Sequence, residues 1–176
     1  VPNWHGTPDW EPGQLVTAAD LNAQIRDNVG YLFARPIAAV TADENSDFTT
    51  TATDFVDIDA GFSVLLALEG SRARVHFHGV LFLQGSSAGT QRAFFDVAVD
   101  GVRQAGDDGI CFVETVNNGV RHVSFTRLIT GLTPGTHTFR PQWKCYASAG
   151  TPSVTMYAGA GTPQANVHPQ FIVEEC

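Results

Sequence analysis

Two histidines have the spacing that comes nearest to a chemical site. His76 and His78 flank Phe77 in the run Arg72-Ala-Arg-Val-His-Phe-His78. Alternation of this kind is a strand pattern, and residues two apart on a strand share a face. A first-row metal wants three or four ligands at fixed geometry. Gly79-Val-Leu-Phe-Leu83 follows with no ligand, and Gln84 is the first polar side chain after it. The pair therefore reads as solvent-facing or interface histidines.

The run from Gly70 to His78 resembles the Gly-x5-His-x-His opening of the cupin metal motif, and cupins are jelly rolls. The glutamate that cupins carry a few residues further on is missing here. Pro134-Gly135-Thr136-His137 is out of register with their second motif. A cupin-like metalloenzyme is the third of three readings.

Carboxylates cluster at Asp54, Asp57 and Asp59, and again at Asp100, Asp107 and Asp108. Calcium needs six or more converging oxygens, and no EF-hand spacing is present. Turn-forming Asp on an acidic surface is the simpler account. Cys111, Cys145 and Cys176 show neither zinc spacing nor a disulfide framework, so they read as thiols of a reducing compartment. Lys144 beside Cys145 would lower a thiol pKa, but a buried strand thiol fits Trp143-Lys-Cys-Tyr146 better. Cys176 stays open as a link between subunits. No Gly-x-Ser-x-Gly elbow, P-loop or dinucleotide fingerprint occurs. The chain does not read as an enzyme, and neither cofactor nor metal is expected.

The totals narrow the partners. The chain has 176 residues, 43% hydrophobic and 16% charged, which suffices for one cored domain and a short appendage. A net charge of −8 argues against a general phosphate-backbone binder, so no nucleic-acid partner is expected. The opening Val1-Pro-Asn-Trp-His-Gly6 lacks the pattern of a signal peptide. No apolar run is long enough to span a bilayer as a helix, so no membrane partner is expected.

The first regular element of the chain is a helix over Thr17–Phe33. Thr17 is a natural N-cap, and Asp20 completes a weak capping box at the positive end of the dipole. Leu21, Ile25, Val29 and Leu32 recur at spacings of four, four and three, forming one apolar stripe. Arg35-Pro36 ends the helix. A single helix of this length is marginal alone, so the stripe needs cover. Two placements are open: seated on its own sandwich, or bundled near a trimer axis. Ahead of the helix, Pro2, Pro8, Pro12, Gly6 and Gly13 make residues 1–16 an extended arm. Its Trp4 and Trp10 are poor candidates for water. Burying one ring contributes on the order of 2–3 kcal/mol. The arm lies either across its own domain or on a neighbour.

From Ile37 onward, strands and turns alternate. Strands are predicted at Ile37–Ala42, Thr53–Ile58, Phe62–Leu68, Arg72–Leu83, Thr90–Val99, Gly109–Thr115, Arg121–Thr130, Gly135–Tyr146, Val154–Ala158 and Gln170–Glu175. Asp100-Gly101 and Asn117-Asn118-Gly119 are predicted to close tight hairpins. The expected fold is mainly β: a jelly-roll β-sandwich over residues 37–176, preceded by the arm and helix of residues 1–36.

The segment Leu15-Val-Thr17-Ala-Ala-Asp20-Leu-Asn22-Ala-Gln-Ile-Arg26-Asp27-Asn28-Val-Gly-Tyr31-Leu32 resembles a phrase recurrent in tailed-bacteriophage virion proteins. There, a Trp- and Pro-bearing start leads into "lt-A-x-x-L-N-x-x-x-R-D-N-x-x-x-L". The strand-turn Asp96-Val-Ala-Val-Asp100-Gly101, the run Gly131-Leu-Thr-Pro134-Gly135-Thr-His137 and the end Pro169-Gln-Phe171-Ile-Val173-Glu174-Glu175 resemble the same group. The resemblance implies a phage structural protein, either a capsid decoration protein or a tail or fibre component, assembled as a trimer of jelly rolls within the virion and made in the host cytoplasm.

The assembly residues expected are therefore Trp4, Trp10, Leu21, Ile25, Arg26, Asp27, Val29 and Leu32. Arg26 and Asp27 are either inter-subunit ion pairs, useful for orientation, or the solvated face of the helix. Partners would be further copies of the chain and capsid or tail proteins. A second reading is a carbohydrate-recognition head that attaches to a host surface glycan through Trp143, Tyr146 or Tyr157.

Overall fold

The computed structural model describes residues 12–42, 47–85, 89–159 and 167–176. Trp4 and Trp10 lie outside the described residues.

The helix forms where the sequence puts it. Thr17 Oγ1 accepts the Asp20 backbone N–H at 3.2 Å, and the Asp20 carboxylate accepts the Thr17 backbone N–H at 2.9 Å. That reciprocal box starts α1 (Ala18–Leu21). The middle of the rod departs from expectation. Asn22–Asp27 is π-helical, and α2 (Asn28–Phe33) resumes the tighter turn with every junction residue still right-handed helical. A π turn closes on the fifth residue and so holds more residues than an α turn. Ala34 leaves helical geometry at φ −130°, just ahead of Arg35-Pro36.

Twelve strands follow among the described residues: β1 (Ile37–Thr41), β2 (Phe48–Thr50), β3 (Val56–Asp57), β4 (Val64–Leu68), β5 (Arg72–Gln84), β6 (Thr90–Val99), β7 (Val102–Arg103), β8 (Cys111–Val116), β9 (Gly119–Thr130), β10 (Gly135–Ala147), β11 (Ser153–Met156) and β12 (Gln170–Glu175). All pairings are antiparallel.

In the first sheet, β9 lines one edge of β5, while β12 and β11 share its other edge end to end. Beyond them lie β1 on β12 and β2 on β11. In the second sheet, β10 pairs with β6. The free edge of β10 carries β4 and β3, and that of β6 carries β8 and β7. Taking end-to-end strands as one position leaves eight positions in chain order. They lie 6-3-8-1 across the first sheet and 2-7-4-5 across the second, the jelly-roll arrangement.

Two local expectations are corrected. Asp100 and Gly101 take φ of 51° and 83° and close the β6–β7 hairpin as expected. Asn117-Asn118-Gly119 does not close a hairpin, because β8 and β9 belong to different sheets; the positive φ falls on Asn117 at 65°. The predicted strand Thr53–Ile58 shrinks to Val56–Asp57, with β2 appearing before it. The chain changes sheets between them, and the Ala52 carbonyl caps the Cys145 N–H of β10 at 2.8 Å instead of joining a ladder.

The core lies between the sheets. Phe77 of β5 sits at its centre, stacked at 5.7 Å on Phe95 of β6 and at 5.3 Å on Phe125 of β9. Trp143, Phe139, Phe171, Leu81 and Met156 are fully buried around it. The body therefore closes its core without help from the helix, none of whose residues belongs to that cluster.

Candidate assembly surface and outer-face cavity

The helix meets the body with its polar side. Asn28 and Tyr31 are its only buried residues. The Tyr31 phenol bonds to the carboxylate of Glu175, itself buried, and that carboxylate also accepts the Gly70 N–H. Burial first, then the bond to Glu175, pushes the Tyr31 hydroxyl far above its ordinary pKa. The Glu175 N–H donates to the Pro36 carbonyl at 2.9 Å, so β12 ties both the helix and its exit. A cavity of about 250 Å³ opens between Leu32, Arg35, Glu69 and Cys176 beside this anchor.

Among the described residues, the apolar side has no such cover. Leu21, Ile25, Val29 and Leu32 are 48%, 59%, 45% and 50% exposed. Leu15, Phe33 and Ile37 extend that exposed surface beyond both ends of the stripe. Of the two placements open from sequence, the stripe seated on its own sandwich is not the one observed. Arg26 pairs with its neighbour Asp27 at 2.9 Å on the open side. The helix is amphipathic, and among the described residues it is the polar side that faces the body.

The histidine pair is taken up by cross-strand neighbours. His76 reaches Thr126 Oγ1 at 2.9 Å and Glu174 at 3.3 Å, and His78 lies 3.4 Å from Gln170. His137, out of register in the sequence motif, clamps a turn: it contacts Asp100 and the Thr133 carbonyl, each at 2.7 Å. Asp57 is held by Arg140 and Gln142, and Asp59 caps the Gly61 N–H. Burial pushes the Cys145 and Cys111 thiols up to about 11, which opposes any activation of Cys145 by Lys144.

Register assembles a second cluster on the outer face of the second sheet. Lys144, Phe94 and Phe112 lie directly across from one another on β10, β6 and β8; Tyr146, Arg92 and Glu114 form the next row. Arg92 pairs with Glu114 and stacks 5.6 Å over Phe112 and 5.8 Å over Tyr146. Lys144 Nζ sits 5.0 Å from the ring centres of both Phe55 and Phe94. Its ammonium bonds to the Asp107 carbonyl, and no carboxylate lies within ion-pair distance among the described residues. The loop that brings Asp107 there depends on Gly109. At φ 68° its N–H donates to the Gly106 carbonyl, and a Cβ would run into the Phe95 carbonyl and the Phe55 ring. Two cavities of about 290 and 470 Å³ meet at Lys144.

Of the three aromatic residues expected for ligand stacking, Trp143 is 1% exposed and belongs to the core, Tyr157 is half-buried, and Tyr146 faces out beside Lys144. The anchor residues Asn28, Tyr31 and Glu175 and the outer-face residues Arg92, Phe94 and Phe112 were not singled out from sequence. Period-two alternation in Gln91-Arg-Ala-Phe-Phe-Asp96 shows which residues share a face, but not which strand lies beside them.

No protein-family model matches the chain, and no curated protein sequence matches it. Among solved structures, it is similar to dimeric latent PorU from Porphyromonas gingivalis (9% identity, TM-score 0.42, covering 80% of this chain and 13% of that one). It is also similar to a chain of infectious bursal disease virus, Gx strain (14% identity, TM-score 0.39, covering 80% and 36%), and to Eiger TNF from S. frugiperda (9% identity, TM-score 0.41, covering 80% and 93%). The chain thus spans about an eighth of the PorU structure and about a third of the viral one. At these TM-scores none of the likenesses bears on function.

Proposed function

We propose that this protein is a virion structural protein that assembles with further copies of itself through its N-terminal helix. The observation that carries the assembly reading is the inverted seating of that helix: Asn28 and Tyr31 face the body, while Leu21, Ile25, Val29 and Leu32 stay about half exposed. A closed symmetric oligomer covers such a stripe with the same stripe of another copy. Each half-exposed side chain contributes about 1 kcal/mol per copy on full burial. Support for the virion part comes from the Arg26-Asp27-Asn28 phrase and its resemblance to tailed-phage proteins. The role is non-covalent reinforcement or display, on the capsid as a decoration protein or in the tail, and the trimer is the order that resemblance implies.

The test is the mass of the full chain in solution. Sedimentation equilibrium is expected to give a trimer, and the pair I25E/V29E is expected to give a monomer with an unchanged β-type circular dichroism spectrum. A wild-type protein that remains monomeric at high concentration rejects the assembly reading. Failure of the purified protein to bind particles of its own virus rejects the virion reading.

A further inference from the structure

We propose that the trough around Lys144 on the outer face of the second sheet is a saccharide site selective for a carboxylate-bearing sugar.

Lys144 supplies the first argument. The other cations of this face are already matched: Arg92 by Glu114 at 2.5 Å, Arg103 by Asp96 at 3.0 Å and Arg140 by Asp57 at 2.9 Å. Lys144, the chain's single lysine, is not matched by any described carboxylate, in a protein of net charge −8. Its Nζ is steadied between two phenylalanine rings, and one of its three donors is used on the Asp107 carbonyl. Two donors and a full charge therefore remain for an anion, at the junction of the two cavities.

The surroundings choose the kind of anion. Tyr146 is 47% exposed and borders the same cavity, offering a flat ring on which the apolar face of a pyranose can stack. Asp108 and Thr53 also line that cavity and offer oxygens to sugar hydroxyls. A polyphosphate chain would meet Asp54, Asp107 and Asp108 at close range and be repelled. A purely apolar ligand would strip water from Lys144 and Asp108 without replacing their hydrogen bonds. One carboxylate, one stacking face and several hydroxyls answer all of these groups at once. In this arrangement the ligand carboxylate lies on Lys144, its ring on Tyr146, and its hydroxyls on Asp108 and Thr53. The site is independent of the assembly reading, since every group in it belongs to one copy and none to the helix.

The test is a titration of the full chain followed by backbone amide NMR shifts, with four probes at matched ionic strength: glucuronate, glucose, acetate and benzoate. Glucuronate is expected to shift the Lys144, Tyr146 and Asp108 amides and to bind about ten-fold more tightly than the other three, a difference of about 1.4 kcal/mol. Lys144→Met is expected to bring glucuronate down to the level of glucose. Tyr146→Ala is expected to weaken both sugars and leave acetate unchanged. Acetate binding as tightly as glucuronate would reduce the trough to a bare anion site and overturn the proposal. Benzoate binding as tightly would show that the hydroxyls contribute nothing and overturn it equally. Glucose matching glucuronate, or no shifts at these residues with any probe, also overturns it.

Discussion

The imidazole of His137 is held at 2.7 Å from the Asp100 carboxylate on one nitrogen and at 2.7 Å from the Thr133 carbonyl on the other. Both partners are acceptors, so both ring nitrogens must carry protons for the two contacts to be hydrogen bonds. The bond to the Thr133 carbonyl, followed by that to Asp100, raises the His137 pKa. The Thr138 N–H, donating at 2.8 Å, followed by the bond to His137, lowers that of Asp100.

These shifts set a pH window. The raised histidine stabilises the fold fully below its unfolded pKa, near 6.5, and loses that contribution as pH rises through its folded value. The lowered Asp100 stabilises fully above 3.8 and loses its contribution as pH falls through its folded value. The melting temperature is expected to decline from just above pH 6.5 upward. Asp100→Asn is expected to flatten that decline and to cost about 1 kcal/mol at pH 6, modest because Asp100 is half exposed. An identical pH profile in D100N would remove the clamp from the stability of the turn.

A second prediction concerns the helix anchor. Tyr31→Phe keeps the ring and deletes the bond to the buried Glu175 carboxylate. Losing one partner of a buried polar pair costs about 1–3 kcal/mol. The effect is expected to be local: amides of Asn28–Phe33 should exchange with solvent roughly ten-fold faster, corresponding to about 1.4 kcal/mol, with β5 and β6 unaffected. Equal acceleration throughout the sheets would show that Tyr31 supports the whole fold instead.

A third prediction concerns Gly109. Gly109→Ala places a methyl against the Phe95 carbonyl and the Phe55 ring at a backbone angle that alanine adopts poorly. A cost of about 1–3 kcal/mol is expected in urea unfolding, together with displacement of Asp107 and Asp108 from Lys144. A variant with wild-type stability would show that the loop yields easily.

Much of this was legible in the sequence, for identifiable reasons. The helix boundaries followed from Thr17, Asp20 and Arg35-Pro36, which act locally. The jelly roll followed from strand count and turn spacing. Local chemistry did not reveal the π turn at Asn22–Asp27, because no residue type marks it. The outward face of Leu21, Ile25, Val29 and Leu32 was equally hidden: an apolar stripe shows that burial is needed, not by whom. Asn117-Asn118-Gly119 misled because the same turn residues serve a hairpin and a corner between sheets. Lys144 and Phe94 came together only through the pairing of β10 with β6, which spans about fifty residues of sequence.

The bond from Tyr31 to Glu175 also imposes an order on biosynthesis. β1 finds its partner only when β12 exists, with Ile37 opposite Glu174, and the helix is anchored only when the next residue has been made. Contacts so distant in sequence close slowly and late. A nascent or truncated chain that stops short of residue 175 lacks the tether that sets the pose of the stripe. In the proposed assembly, docking of one copy on another would therefore wait until β12 is in place, because before that the helix has no fixed pose.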